Sequence, residues 1–530
     1  MKKMTAFLLT TALLLSATAC GAAPTTTEGG TLAPITTTTP TLPEPEPEPT
    51  EISVNDSFTV IYPTNATNSE KKAAEAVVNA FTRLGITLIA KDDSAPQAKN
   101  EILIGKTNRN ASQKILSGLS NGDFSLTVNG TKADGYQIIL AANDDDGIEL
   151  CHTYTEFTYL SGKNAGVFPI SLTFTYKRAE AILNGVALKD YTVVYAQEGV
   201  GGDKNIQAAK YADTAKEFVK LFEKATGTTL QAVSDTDQNL GKDRLILFGN
   251  TALSDDNSVY SYKFVRTGID IYSAKQLENG NIALAGNNAC SAFAAGEAMI
   301  YSLIEKNGRL DSLDLSGEKD LIRVACVGDS ITYGTNSSDP SMQSYPVYLQ
   351  RMLGYRYYVE KYGAPSHSLI ETDTPSFLKH NYFKQSAAMK PDVVFVMLGT
   401  NDCRTQKWED SAYKNWNDPA RKEAFLKSGQ KLVDAYRNAK ANVQIIFATC
   451  PTVPQDEWLN TDWTSRIKRY GNPAICTVAE TNNCPVIDIY TYSTQHPEMF
   501  EGGDGLHPQN EQYEILAKGV YELSKDIIKK

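Results

Sequence analysis

Histidine is scarce in this chain, with five among 530 residues. They are His152, His367, His380, His496 and His507, so few positions can supply an imidazole base. The eight cysteines show no paired metal-ligand spacing, which leaves zinc-ribbon and related sites without their ligand pattern. Beyond Cys20 an odd number remains, so a complete disulfide framework is not expected. Cys476 and Cys484 are the one close pair; they suit either a loop bridge in an oxidising setting or free thiols acting as small apolar residues. An excess of basic residues is also missing. The formal net charge of −11 argues against nucleic acid, whose phosphates demand a basic face. Past the N-terminus no apolar run approaches the ~20 residues of a bilayer span.

Three local patterns lack what their function needs. Asp144-Asp-Asp-Gly147 has neither the ligand ladder nor the distant glutamate of an EF-hand loop, and reads as a solvated turn. Gly199-Val-Gly-Gly202 lacks the glycine spacing of a dinucleotide loop and reads as a flexible connection. Gly118-Leu-Ser-Asn-Gly122 fits G-x-S-x-G, but no strand runs into it as a nucleophile elbow requires.

What is present divides the chain by composition. In residues 1–20, Lys2 and Lys3 precede the apolar run Phe7–Leu15, and small residues lead to Cys20; this is the layout of a secretory signal. A cysteine at that junction resembles the bacterial lipoprotein signal, although Ala17 stands where such signals more often carry leucine. The resemblance implies lipidation of Cys20 and an exported, cell-surface lipoprotein touching the membrane through that anchor alone. Residues 21–50 are rich in Thr and Pro and alternate Pro with Glu from Pro43 to Pro49. Such a segment cannot bury enough apolar surface to fold, and its Pro-Glu part is expected to be a stiff, extended stalk.

Residues 51–180 and 181–318 read as two copies of one α/β or α+β unit. Phe58-Thr-Val-Ile-Tyr62 recurs as Tyr191-Thr-Val-Val-Tyr195, each followed by a helical segment (Glu70–Leu84, Ala208–Ala225). Glycine-closed strands come next, Glu101–Gly105 and Arg244–Gly249. Tyr136–Leu140, Ile269–Tyr272 and Asn281–Gly286 complete the expected strands. This order resembles accessory domains of secreted carbohydrate-active enzymes.

In residues 319–530 the pattern becomes a regular alternation. Strands are expected at 322–327, 357–362, 393–398, 443–448 and 486–489, with helices near 345–353, 383–388, 422–439, 464–480 and 512–528. Five strands alternating with helices predict a three-layer, doubly wound α/β domain, whose post-strand loops converge on one edge. Those loops hold the polar residues: Gly328-Asp-Ser330, Gly363-Ala-Pro-Ser366-His367, Gly399-Thr-Asn401-Asp402 and Asp504-Gly-Leu-His507. A serine hydroxyl needs a neighbouring base to become a nucleophile, and imidazole suits neutral pH. His507 is thus the expected base for Ser330. Asp504, three residues earlier, is placed to hold the other ring nitrogen.

The blocks GDSIT, GTND and DGLHP, in this order, resemble the SGNH (GDSL-type) hydrolase superfamily over roughly Leu321–Ile528. The surrounding text is most similar to its sialate O-acetylesterase-like and other carbohydrate O-acetylesterase members. The resemblance implies a flavodoxin-like αβα fold and a Ser330–His507–Asp504 triad. It also implies an oxyanion hole from the Ser330 N–H, a backbone N–H of the second block and the Asn401 amide. It implies acetylated carbohydrate as substrate, with no metal and no cofactor. The second block departs from the family's N-x-G-x-S-G: Lys361 replaces the asparagine, Gly363 keeps the first glycine, and Ser366 takes the place of the donor glycine. Other readings stay open at this point. The same apparatus serves a lipid or acyl-thioester hydrolase, and the altered block also fits a glycan-binding lipoprotein with a decayed hydrolase domain. His367 reads as a substrate contact or a surface residue. Trp408, Trp416, Trp458 and Trp463 suit sugar stacking or packing of an insertion. Asp339, Asp402 and Arg404 receive no chemistry.

Overall fold

Short aliphatic and β-branched runs set the strands of three sheets in the computed structural model. It describes residues 49–161, 164–196, 204–249, 251, 253, 270–404, 416, 419–453, 463–525 and 527–528. The expected signal and stalk up to residue 48, Cys20, Gly199–Gly202, Ile269, Trp408 and Trp458 lie outside the described residues.

The first sheet contains β1 (Phe58–Tyr62), β2 (Ile89–Asp92), β3 (Asn100–Ile104), β4 (Phe124–Thr131), β5 (Gly135–Ala142) and β6 (Thr173–Tyr176), in the order β2-β1-β3-β5-β4-β6. The second contains β7 (Thr192–Tyr195), β8 (Gln231–Ser234), β9 (Leu245–Phe248), β10 (Ile271–Gln276), β11 (Ile282–Gly286) and β12 (Asp314–Glu318), in the order β8-β7-β9-β11-β10-β12. Strand for strand the two orders are the same, with the same parallel and antiparallel neighbours. The weak likeness of Phe58–Tyr62 to Tyr191–Tyr195 therefore marks two copies of one topology.

Helix α1 (Asn68–Arg83) follows β1 and opens on a capping box between Thr67 and Glu70. Helix α2 (Asp145–Tyr159) follows β5. Asp144 caps it by accepting from Gly147 N–H, so the acidic stretch expected to be a solvated turn is a helix start instead. In the second copy α3 (Lys204–Thr226) and α4 (Ala289–Glu305) occupy the corresponding places. The two copies share one continuous apolar cluster, in which Tyr154 of α2 meets Tyr301 of α4 edge to face at 5.7 Å. Gly118–Gly122 follows a short helix, Asn110–Leu116, and no strand runs into it.

The third sheet is all parallel: β13 (Ile322–Gly328), β14 (Tyr357–Gly363), β15 (Val393–Met397), β16 (Gln444–Ala448) and β17 (Val486–Ile487), in the order β14-β13-β15-β16-β17. Alternate residues of each strand enter opposite clusters. Val324, Cys326 and Phe395 pack with Tyr345, Leu349, Tyr513 and Leu516, whereas Ala325, Val327 and Val396 pack with Phe425, Leu432, Ile475 and Val478. Burial on both faces is why these strands read as unbroken apolar runs. After the short α5 (Ser330–Tyr333), the layers are built by α6 (Tyr345–Leu353) and α10 (Gln512–Ser524) on one face, and α7 (Asn381–Ala388), α8 (Pro419–Ala439) and α9 (Asn472–Thr481) on the other. The flavodoxin-like three-layer expectation holds, with differences at element ends. The helix expected over 464–480 contains a π-helical turn at Ile467–Gly471, β17 is two residues long, and a helix at Ile489–Gln495 follows it.

Candidate active site

At the carboxyl ends of β13 and β14, Gly328 and Gly363 pair across the ladder. A side chain at either would collide with α5. A Cβ on Gly328 would lie 1.9 Å from Thr332 Oγ1, and one on Gly363 2.2 Å from the Tyr333 nitrogen. The paired glycines therefore let the turn carrying Ser330 sit directly on the sheet, and Gly363 is the spacer beneath it. Asp329 caps α5, its Oδ1 accepting from Ile331 N–H at 3.0 Å. Lys361, where the family pattern has asparagine, is buried and donates to the carbonyls of Tyr333 (2.8 Å) and Pro340 (2.7 Å). It thus grips the far end of the same turn.

Ser330 is half-buried at the start of α5. Its hydroxyl lies 2.8 Å from His507 Nε2, and His507 Nδ1 lies 2.7 Å from Asp504 Oδ2. With a carboxylate on Nδ1, the proton belongs on that nitrogen and Nε2 is free to accept from Ser330. Asp504 Oδ1 takes the backbone N–H groups of Leu506 (2.9 Å) and His507 (2.7 Å), so one carboxylate folds the loop and orients the ring. Burial pushes the Asp504 carboxyl up, but the hydrogen bonds from His507 outweigh it and hold it down at about 2.

Asn401 and the second block are joined. Asn401 Nδ2 contacts His367 O at 3.2 Å and Asp329 Oδ2 at 3.4 Å. Asp402, to which the sequence reading gave no chemistry, receives Leu369 N–H and Ile370 N–H, each at 2.9 Å. Burial raises both Asp329 and Asp402 to about 6. Ser366 is exposed and has φ of 66°, a left-handed conformation. His367 is half-exposed, and its ring meets His380 edge-on at 4.8 Å.

The two described tryptophans serve packing. Trp416 Nε1 donates to Asp402 O at 2.8 Å and Trp463 Nε1 to Thr400 O at 2.9 Å, and both rings are buried. Arg421 also donates to Asp402 O, at 2.9 Å, while paired with Asp373 at 3.0 Å. His496 pairs with Glu498 at 2.9 Å. Cys476 and Cys484 are free thiols. Sequence reasoning missed Lys361 and Asp402 as supports of the site, where the one available signal was their position within the motif blocks; of the two readings left open for Trp416 and Trp463, the structure has packing.

Among the described residues no cluster of three or more His, Cys, Asp or Glu side chains is arranged to hold a metal ion, and no helix is long and apolar enough to cross a membrane. A 92-residue stretch is 36% identical to an acetylxylan esterase of Xylanibacter ruminicola, spanning 17% of this chain and 19% of that protein. Among solved structures, a lipase/acylhydrolase from Enterococcus faecalis aligns at 21% identity and a TM-score of 0.30, over 39% of this chain and 97% of its own. A carbohydrate acetylesterase from Sinorhizobium meliloti aligns at 16% identity and a TM-score of 0.29, over 39% of this chain and 99% of its own. Residues 326–515, from β13 to just beyond His507, match the GDSL-like Lipase/Acylhydrolase family, so the C-terminal part of the chain is similar to it.

Proposed function

We propose that this protein is a serine carboxylic ester hydrolase that removes acetyl groups from carbohydrate. The observation carrying the reading is the continuous relay from Asp504 through His507 to Ser330, with contacts of 2.7 and 2.8 Å. In the reaction, Ser330 Oγ attacks the ester carbonyl while His507 Nε2 takes its proton, and Asp504 stabilises the imidazolium. The tetrahedral oxyanion is held by the N–H groups of Ser330 and Ser366 and by the Asn401 amide, whose long contact to Asp329 gives way to the stronger charge. Collapse breaks the bond to the alcohol, which leaves with the proton from His507. Water, deprotonated by the same imidazole, then attacks the acetyl-serine and releases acetate, returning the proton to Ser330.

The local likeness to an acetylxylan esterase supports carbohydrate as the alcohol side. The signal-like residues 1–20 and the Pro-Glu stretch support an exported protein tethered through Cys20. Acetate release from acetylated polysaccharides, with acetyl compared against octanoyl aryl esters, tests the reading. Turnover of the acetyl ester that vanishes in Ser330→Ala is expected. Unchanged turnover in that variant removes the serine mechanism, and preference for octanoyl moves the substrate class to lipid.

A further inference from the structure

β14 is an outer strand of the catalytic sheet and runs straight into the loop that carries Ser366. Its free edge is taken up by side chains. Gln350 spans two residues, accepting from Val359 N–H at 2.8 Å and donating to Tyr357 O at 2.7 Å. The remaining contacts come from the second repeat. Lys210 of α3 donates to Val359 O at 2.6 Å and pairs with Glu360 at 3.0 Å, and Cys290 of α4 lies 3.4 Å from Tyr357 O. Lys210 is 4% exposed, and its ammonium also stands over the Tyr358 ring at 4.5 Å.

The docking is broader than one residue. Asp213 of α3 pairs with Arg351 of α6 at 2.7 Å, and Asp270 pairs with the buried Arg323 of β13 at 2.8 Å. Cys290 packs within the same apolar cluster as Ala325 and Val327. Further along β14, Lys361 holds the end of the nucleophile turn and Gly363 lies beneath it, so a shift of this strand displaces Ser330 and the Ser366 N–H together.

We propose that the second repeat is a working part of the catalytic site, and that Lys210 is a positioning residue acting through β14 on the nucleophile turn and the oxyanion loop. A buried ammonium on a strand carbonyl is costly to remove, because the carbonyl loses its donor and Glu360 keeps only the Tyr358 hydroxyl, at 2.6 Å. The inference rests on the ester-hydrolase reading, and the experiment separates the two.

In the full chain, Lys210→Met, Lys210→Arg and Glu360→Gln are compared with wild type on an aryl acetate, with competent sites counted by an aryl phosphonate that labels Ser330. Expected is a fall in kcat per labelled site of about tenfold in Lys210→Met, from misplacement of groups that must align closely. KM should stay within about twofold. Lys210→Arg keeps a donor and restores a large part of the loss, and Glu360→Gln loses less than Lys210→Met. A normal kcat per labelled site in Lys210→Met, even with a lowered Tm, overturns the proposal. Should Lys210→Met not fold, Glu360→Gln decides: a normal kcat per site overturns it and a reduced one supports it. A wild-type protein that binds phosphonate but turns over no ester defeats the hydrolase reading alone, and positioning is then read from the labelling rate.

Discussion

Asp504 grips His507 twice, with Oδ2 on the ring Nδ1 and Oδ1 on the backbone N–H, each at 2.7 Å. Rotating the ring, or moving its proton to Nε2, forfeits the Oδ2 contact while Oδ1 still holds the loop. Asp504→Asn puts an amide where the carboxylate was, and is expected to lower kcat by about 10³–10⁴ with little change in KM. Steady-state kinetics on an aryl acetate check this. Because the folded carboxyl is held at about 2, below its ordinary 3.8, Asp504 contributes stability above about pH 4 that is lost as pH falls toward 2.

Asp329 behaves in the opposite sense. Burial raises it to about 6, so between about pH 4 and 6 the folded protein keeps a proton that the unfolded chain has released. Its contribution falls as pH rises through that window and is flat above it. Asp329→Asn keeps an acceptor for Ile331 N–H and removes the titration. The Tm of this variant relative to wild type should rise from pH 4 to 6, by an equivalent of roughly 1–3 kcal/mol. A difference that stays constant with pH would show that Asp329 is ionised throughout.

Ser366 holds a left-handed backbone at φ 66°, which costs a residue with Cβ about 1 kcal/mol that glycine avoids. Ser366→Gly keeps the N–H and should retain activity. Ser366→Pro removes that donor and forces φ negative, and should lower kcat by about 10²–10³. Equal activity in the two variants would mean that this N–H does not serve the oxyanion.

Trp463 donates to the carbonyl of Thr400, one residue before Asn401. Trp463→Phe keeps an aromatic ring but removes the indole donor, leaving the Thr400 carbonyl only the Cys403 N–H at 3.2 Å, at a cost of about 0.5–1.5 kcal/mol. The expected signature is a lower Tm and a lower kcat with KM unchanged on polysaccharide. A selective rise in polysaccharide KM would instead place the indole against sugar.

Much of the all-parallel sheet was readable because its strands are buried on both faces, and runs such as Val393–Leu398 have no polar interruption. The four loops were readable as a set because a doubly wound sheet gathers its post-strand loops on one edge. The supports of the site were not. Lys361 on Tyr333 O, Asp402 on Leu369 N–H and Lys210 on Val359 O join positions 28, 33 and 149 apart, and no periodicity announces such pairs. Asp144–Gly147 was misread because an acidic run before a helix looks like a solvated turn until its side chain is seen capping. The helix over 464–480 was found, but its π turn leaves no trace in an apolar pattern.

The cover that α3, α4 and Gln350 of α6 lay along β14 has a second effect. An unpaired outer strand is a template for strands of other chains, and parallel sheets with bare margins are prone to self-association. Here one margin is stoppered by an ammonium, a thiol and a glutamine, and the opposite strand, β17, is two residues long. Neither side offers the long ladder on which fibrous growth depends.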